Sequence, residues 1–140
     1  MAIRQLSAFL ENKPGALVAV TEALSRAGVD MRALSVADTQ DFGILRLIVN
    51  DPDAARDALT REGILTAENP VVAVGVPDKP GALTNLVKLL AGEEINIEYL
   101  YAFLAPVKGR AFVALRVPDA AAAEEILRAA GFDTVSEGAF

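Results

Sequence analysis

The chain of 140 residues contains neither cysteine nor histidine. Without them there is no imidazole base, no thiolate nucleophile and no zinc site of the usual ligand types. Catalysis would have to rest on Asp, Glu, Lys, Ser, Thr or Tyr, and no nucleophile–base pair is evident among them. Arg4, Arg46 and Arg110 share no motif that would mark an anion-holding enzyme site. With no cysteine, disulfides say nothing about compartment; Met1-Ala2-Ile3-Arg4-Gln5 is not a signal peptide, so the cytoplasm is the expected location. No apolar run approaches the roughly 20 residues needed to cross a bilayer, and no membrane partner is expected. Clustered cations are missing too. The 13 Lys and Arg face 19 Asp and Glu, a net charge of −6, which argues against binding a phosphate backbone, so nucleic acid is not an expected partner.

What is present is a chain able to bury a core: 53% of residues are hydrophobic and 23% charged. The dominant feature is an internal repeat. Lys13-Pro14-Gly15-Ala16-Leu17 recurs as Lys79-Pro80-Gly81-Ala82-Leu83, an offset of 66. Leu17, Val20 and Leu24 match Leu83, Leu86 and Leu90 on one helical face, and Val29-Asp30-Met31 matches Ile95-Asn96-Ile97. The offset then becomes 68, pairing Val49 with Val117, Leu59 with Leu127 and Gly63 with Gly131. The slip falls in a loop, where the second copy carries Ala105-Pro106-Val107-Lys108-Gly109, and insertions belong in loops.

Each copy reads strand, helix, strand, strand, helix, strand. In the first, Arg4 to Leu10 is extended and Gly15 to Ala27 is helical, with Pro14 pre-setting the first turn and Gly28 supplying a left-handed end. Met31 to Ala37 and Gly43 to Val49 follow as strands around the turn Asp38-Thr39-Gln40-Asp41. Asp51-Pro52 opens a second helix, Gly63 closes it, and Ile64 to Glu68 is a short fourth strand. The second copy repeats this from Val71, with Asp119 as the later cap. Glu94 stands where the first copy has Gly28, so that helix end is expected to be built differently. The boundary at Glu68-Asn69-Pro70 gives two units, residues 1–69 and 70–140. The order is that of an α+β, ferredoxin-like βαββαβ fold, an antiparallel sheet with both helices on one face.

The uncovered sheet face should then alternate to polar residues, but it does not. Leu100, Ala102 and Leu104 lie on one side of their strand, with Tyr99, Tyr101 and Phe103 on the other, and Val71 to Val76 has almost no polar side chain. Strands apolar on both faces need cover on both faces, from each other or from a second chain, so a homodimer is expected. The aromatic stripe fits an interface better than a stacking platform. Arg46, between Ile44 and Ile48, is either a carboxylate partner or a snorkelling residue. The Asp38–Asp41 turn has too few carboxylates for Ca²⁺ or Mg²⁺, so no metal is expected.

Glu11-Asn12-Lys13-Pro14-Gly15-Ala16-Leu17, an amphipathic helix and Gly28-Val29-Asp30-Met31 together resemble the ACT domain, a small ligand-binding regulatory module of amino-acid metabolism. Asp78-Lys79-Pro80-Gly81-Ala82-Leu83 and Ile95-Asn96-Ile97 give a second match, and the pair covers nearly the whole chain. The resemblance implies amino-acid effectors bound between paired domains, no cofactor, and a possible metabolic enzyme as partner. It places ligand contacts at Asn12, Lys13, Gly15, Ala16 and Leu17 with Asp30 and Met31, and at Asp78, Lys79, Gly81, Ala82 and Leu83 with Asn96 and Ile97. A physical reason fits: backbone N–H groups at a helix start suit an α-carboxylate, and an Asn or Asp oxygen suits an α-ammonium. The copies exchange their polar residues, so the two pockets need not be equivalent. Two other readings stay open: a protein-only regulatory subunit with vestigial pockets, and a small hydrolase on the same fold.

Overall fold

A computed structural model describes residues 2–38, 41–104 and 109–136. They fall into two compact units, one from Arg4–Asn69, the other from Pro70–Phe140 with Met1–Ile3. The expected Thr39-Gln40 turn centre and the 105–108 insertion lie outside the described residues.

In the first unit, β1 (Ile3–Glu11), α1 (Ala16–Arg26), β2 (Met31–Asp38), β3 (Phe42–Val49) and α2 (Pro52–Arg61) appear in the expected order. β3 lies antiparallel between β1 and β2, with Leu6 opposite Leu47 and Leu34 opposite Leu47 on its other side. The Phe9 amide donates to the Leu65 carbonyl, which brings the returning chain to the free edge of β1. Alternation then does the rest. Leu6, Ala8 and Leu10 from β1 and Leu45, Leu47 and Val49 from β3 share a core with Val20, Leu24 and Leu59 of the helices.

The second unit repeats this with α3 (Ala82–Gly92), β5 (Tyr99–Ala102), β6 (Arg110–Arg116), α4 (Ala120–Ala129) and β7 (Asp133–Val135). Its first strand differs from expectation. A single strand, β4 (Thr66–Pro77), replaces the separate Ile64–Glu68 and Val71 strands, because Pro70, which cannot donate, is accommodated without a break. From Val72 onward β4 pairs with β6 on one side and β7 on the other, and β5 borders β6. Val72, Val74, Val76, Val113 and Leu115 pack on Leu86, Leu90 and Leu127. On the opposite face the cross-strand partners Tyr101 and Ala114 are both buried; Leu100, paired with Leu115 on the helix side, is exposed, as is Leu104. Tyr99 and Tyr101 stack at 6.5 Å. Among the described residues no helix is long and apolar enough to cross a membrane.

Asp51 and Asp119 cap α2 and α4 as their sequence positions predict, each accepting at 3.1 Å from the amide three residues on. Arg4 bridges Asp53 and Glu68; its guanidinium, 2.7 Å from Asp53, holds that carboxyl below the usual range. The difference expected at Glu94 does not appear. Glu94 adopts φ 58°, the left-handed conformation of Gly28 (φ 70°), and the Ile95 amide donates to Leu90 as the Val29 amide does to Leu24. The two-bond helix end and the packing of Ile95 on the core fix the backbone, and glutamate accepts the strain. Glu94→Gly is therefore expected to raise unfolding free energy by about 1 kcal/mol in urea titrations. A loss of stability would show that the left-handed backbone carries no strain.

Candidate functional site

The two Pro-Gly corners have nearly the same backbone. Gly15 and Gly81 are the N-cap residues of α1 and α3, both at φ 88°, with ψ −16° and −14°. The helices therefore begin one residue later than the sequence suggested. At each corner the Lys amide donates two residues back and its carbonyl accepts from the Ala amide: Lys13 to Glu11 at 3.0 Å and Ala16 to Lys13 at 3.3 Å, against Lys79 to Pro77 at 2.9 Å and Ala82 to Lys79 at 3.3 Å. Left-handed backbone at this point turns the chain from strand into helix, and only glycine takes it without steric cost. Neither helix start has a side-chain cap hydrogen bond or an acidic residue in its first turn. With the Ala16 and Ala82 amides bonded back to the turn, those of Leu17 and Val18, and of Leu83 and Thr84, are the ones left to present the positive end of each helix. A Cβ at Gly15 or Gly81 would meet nothing within 4 Å, so the space before each helix is open.

The corners differ in their surroundings. Lys13 and Ala16 line a cavity of about 230 Å³ with Phe9, Leu10, Ala19 and Ile64. Lys13 is paired with Glu11 at 3.0 Å. In the second unit a cavity of the same volume lies at the equivalent place, but Asp78, Lys79, Gly81, Ala82 and Leu83 do not line it. Ala82 is buried in the core, whereas Ala16 is only partly so. Leu17 and Leu83 are exposed on their helices.

Within one unit the turn and the strand entry are not brought together. The Asn12 amide donates to Asp41 at one end of the sheet, while Asp30 and Asn50 bond at the other, backbone to backbone at 3.2 Å and Asp30 amide to Asn50 Oδ1 at 2.9 Å. α1 runs between these ends, and its 11 residues at about 1.5 Å each set them well apart. The Asp30 carboxylate is paired with Arg32 at 3.0 Å. Met31 and Ile97 direct their side chains onto the two cores. Asn96 is exposed in the segment before β5. Arg46 lies in mid-sheet opposite Ser7 and Ser35, away from the turn. Among the described residues no three His, Cys, Asp or Glu side chains cluster as metal ligands would.

Sequence reasoning missed Phe9, Ala19 and Ile64 as cavity walls, because apolar residues next to a turn read simply as core. It also passed over Gly75, Arg110 and Asp133, which line the second cavity. A glycine inside a strand was the available signal, since it marks close approach of another group.

Comparison with known proteins agrees with this architecture. Residues 1–139 match the family described as the ACT domain pair. No curated protein matches the chain. The crystal structure of protein BT0572 from Bacteroides thetaiotaomicron is 37% identical with a TM-score of 0.92, covering 99% of this chain and 94% of that one. The ligand-free regulatory subunit of aspartate kinase from Thermus thermophilus shares the fold at 18% identity and TM-score 0.68, over 93% of each chain. The corresponding subunit from Thermus flavus does so at 18% and 0.62, over 93% and 94%. The doubled corner, the two βαββαβ units and the match along the chain place this protein in the ACT domain pair family.

Proposed function

We propose that this chain is a non-catalytic regulatory protein that binds a free amino acid at its Pro-Gly corners. Residues 1–69 and 70–140 each act as one ACT domain, in a cytoplasmic homodimer whose occupancy biases a metabolic enzyme partner. The observation that carries the reading is the uncapped helix start, built twice with nearly the same torsions, while α2 and α4 are capped by aspartate. An α-carboxylate is the small group that such amides are suited to bind, and Asn12 or Asp78, two residues before each Pro, would supply an oxygen for an α-ammonium. Regulation follows if the two states of an assembly bind that ligand with different affinity.

A thermal-shift screen of the twenty amino acids at millimolar concentration tests this. At a hundredfold excess over Kd, bound ligand should stabilise the fold by about 2.7 kcal/mol. Stabilisation by one amino acid or a chemically related few is the expected outcome, and a flat response to all twenty removes the small-molecule reading. One observation favours a protein-only role instead. Leu17 and Val18 on α1, with Leu83 and Val87 on α3, are exposed apolar side chains of the kind a partner protein covers. A stoichiometric enzyme retained from native lysate without ligand would support that alternative.

A further inference from the structure

Gly75 lies two residues before the end of β4 and is not among the glycines with positive φ, so its backbone does not call for glycine. Space does. A Cβ there would lie 2.7 Å from Phe112 Cε1 and 2.8 Å from Arg110 Nη2. Gly75 is flanked in register by Phe112 on one side and Asp133 on the other. Across the gap Arg110 reaches Asp133, Nη2 to Oδ2 at 3.1 Å, with its guanidinium carbon 5.8 Å from the centre of the Phe112 ring. The cavity of about 230 Å³ opens beside this crossing, walled by Pro77, Gly131 and Phe132 as well.

The first unit has the same frame without the chemistry. By the repeat offsets of 66 and 68, Gly75, Arg110 and Asp133 correspond to Phe9, Phe42 and Leu65, all apolar and exposed. A missing side chain and two opposite charges therefore occur together in the second copy alone. The pair leaves recognition capacity unused. Arg110 commits one nitrogen of a fork with five N–H donors, and Asp133 commits one of two oxygens. The Arg110 Nε is buried without an acceptor among the described residues. An ion pair whose side chains are 39% and 57% exposed holds together weakly, so a ligand can open or bridge it.

The geometry points to a second amino-acid site in this cavity, distinct from the corners. The α-carboxylate pairs with Arg110, the α-ammonium with Asp133, and the side chain rests against Phe132 and Pro77. A volume below the 300–1,000 Å³ typical of drug-sized ligands suits a molecule of this size. The inference takes its ligand class from the proposed function and nothing else.

Titration of the ¹⁵N-labelled chain with glycine and alanine, followed by NMR at the Gly131, Phe132 and Asp133 amides, tests it. Saturable shifts at these three amides are expected in the wild type. They should weaken at least tenfold in Arg110→Gln and in Asp133→Asn, and acetate or methylammonium alone should bind at least tenfold more weakly than glycine. The shifts should persist in a Gly15→Val, Gly81→Val chain, so failure of the corners and failure of this site are read separately. Two charge variants, each checked for a dispersed spectrum, guard against loss of fold in either. Absence of shifts at Gly131–Asp133, or equal shifts in a folded charge variant, overturns the site.

Discussion

Replacing Gly15 with valine is expected to abolish amino-acid binding at the first corner and to lower unfolding free energy by about 2 kcal/mol. The stability loss follows from φ 88°, a left-handed backbone that costs an L-residue about 1–2 kcal/mol and a β-branched one at least as much. The binding loss has a different cause. The new side chain would stand in the open space before α1, where the carboxylate must approach the first amides. Asparagine tolerates the left-handed region, so Gly15→Asn separates the two effects by keeping the fold while adding bulk. Gly81→Val asks the same question of the second corner. Calorimetric titration and urea unfolding of both variants give the answer: loss from one alone identifies the working corner, and unchanged binding in both rejects the corner as a ligand site.

The second large effect concerns the cores. Leu24 and Leu90 occupy equivalent helix positions, and each is fully buried in a separate apolar cluster. Leu24→Ala is expected to cost about 3 kcal/mol, within the 2–5 kcal/mol typical of buried leucine truncation, and Leu90→Ala a similar amount. Urea unfolding followed by circular dichroism measures both. A cost below about 1 kcal/mol at Leu24 would mean that the helix is not packed on its sheet as described.

Much of this architecture was legible before any coordinates. Helix starts were announced by Asp51-Pro52 and Asp119, whose capping chemistry is local. The helix faces followed from the spacing of Leu17, Val20 and Leu24, although only the last two are buried. The family resemblance rested on the doubled Lys-Pro-Gly-Ala-Leu, and the match over residues 1–139 bears it out. What escaped was settled by through-space geometry. The resemblance grouped Asp30 with the turn as contacts of a ligand held between paired domains; within one unit a three-turn helix sets the two at opposite ends of the sheet, a separation that no local pattern displays. Pro70 read as a break, but a strand can pass through a proline wherever the missing donor is not needed. The crossing over Gly75 joins three strands separated by up to 58 positions, and no local pattern encodes it.

Glu94 has a consequence for how substitutions at the two helix ends should be ranked. Judged by residue identity, positions 28 and 94 share nothing; judged by torsion, they are one position. Tolerance at 94 should therefore follow a glycine scale rather than a helix-propensity scale. Glycine and asparagine come first, unbranched residues such as the native glutamate next, and valine or isoleucine last, although position 94 lies on the surface, where side-chain size alone would impose no order.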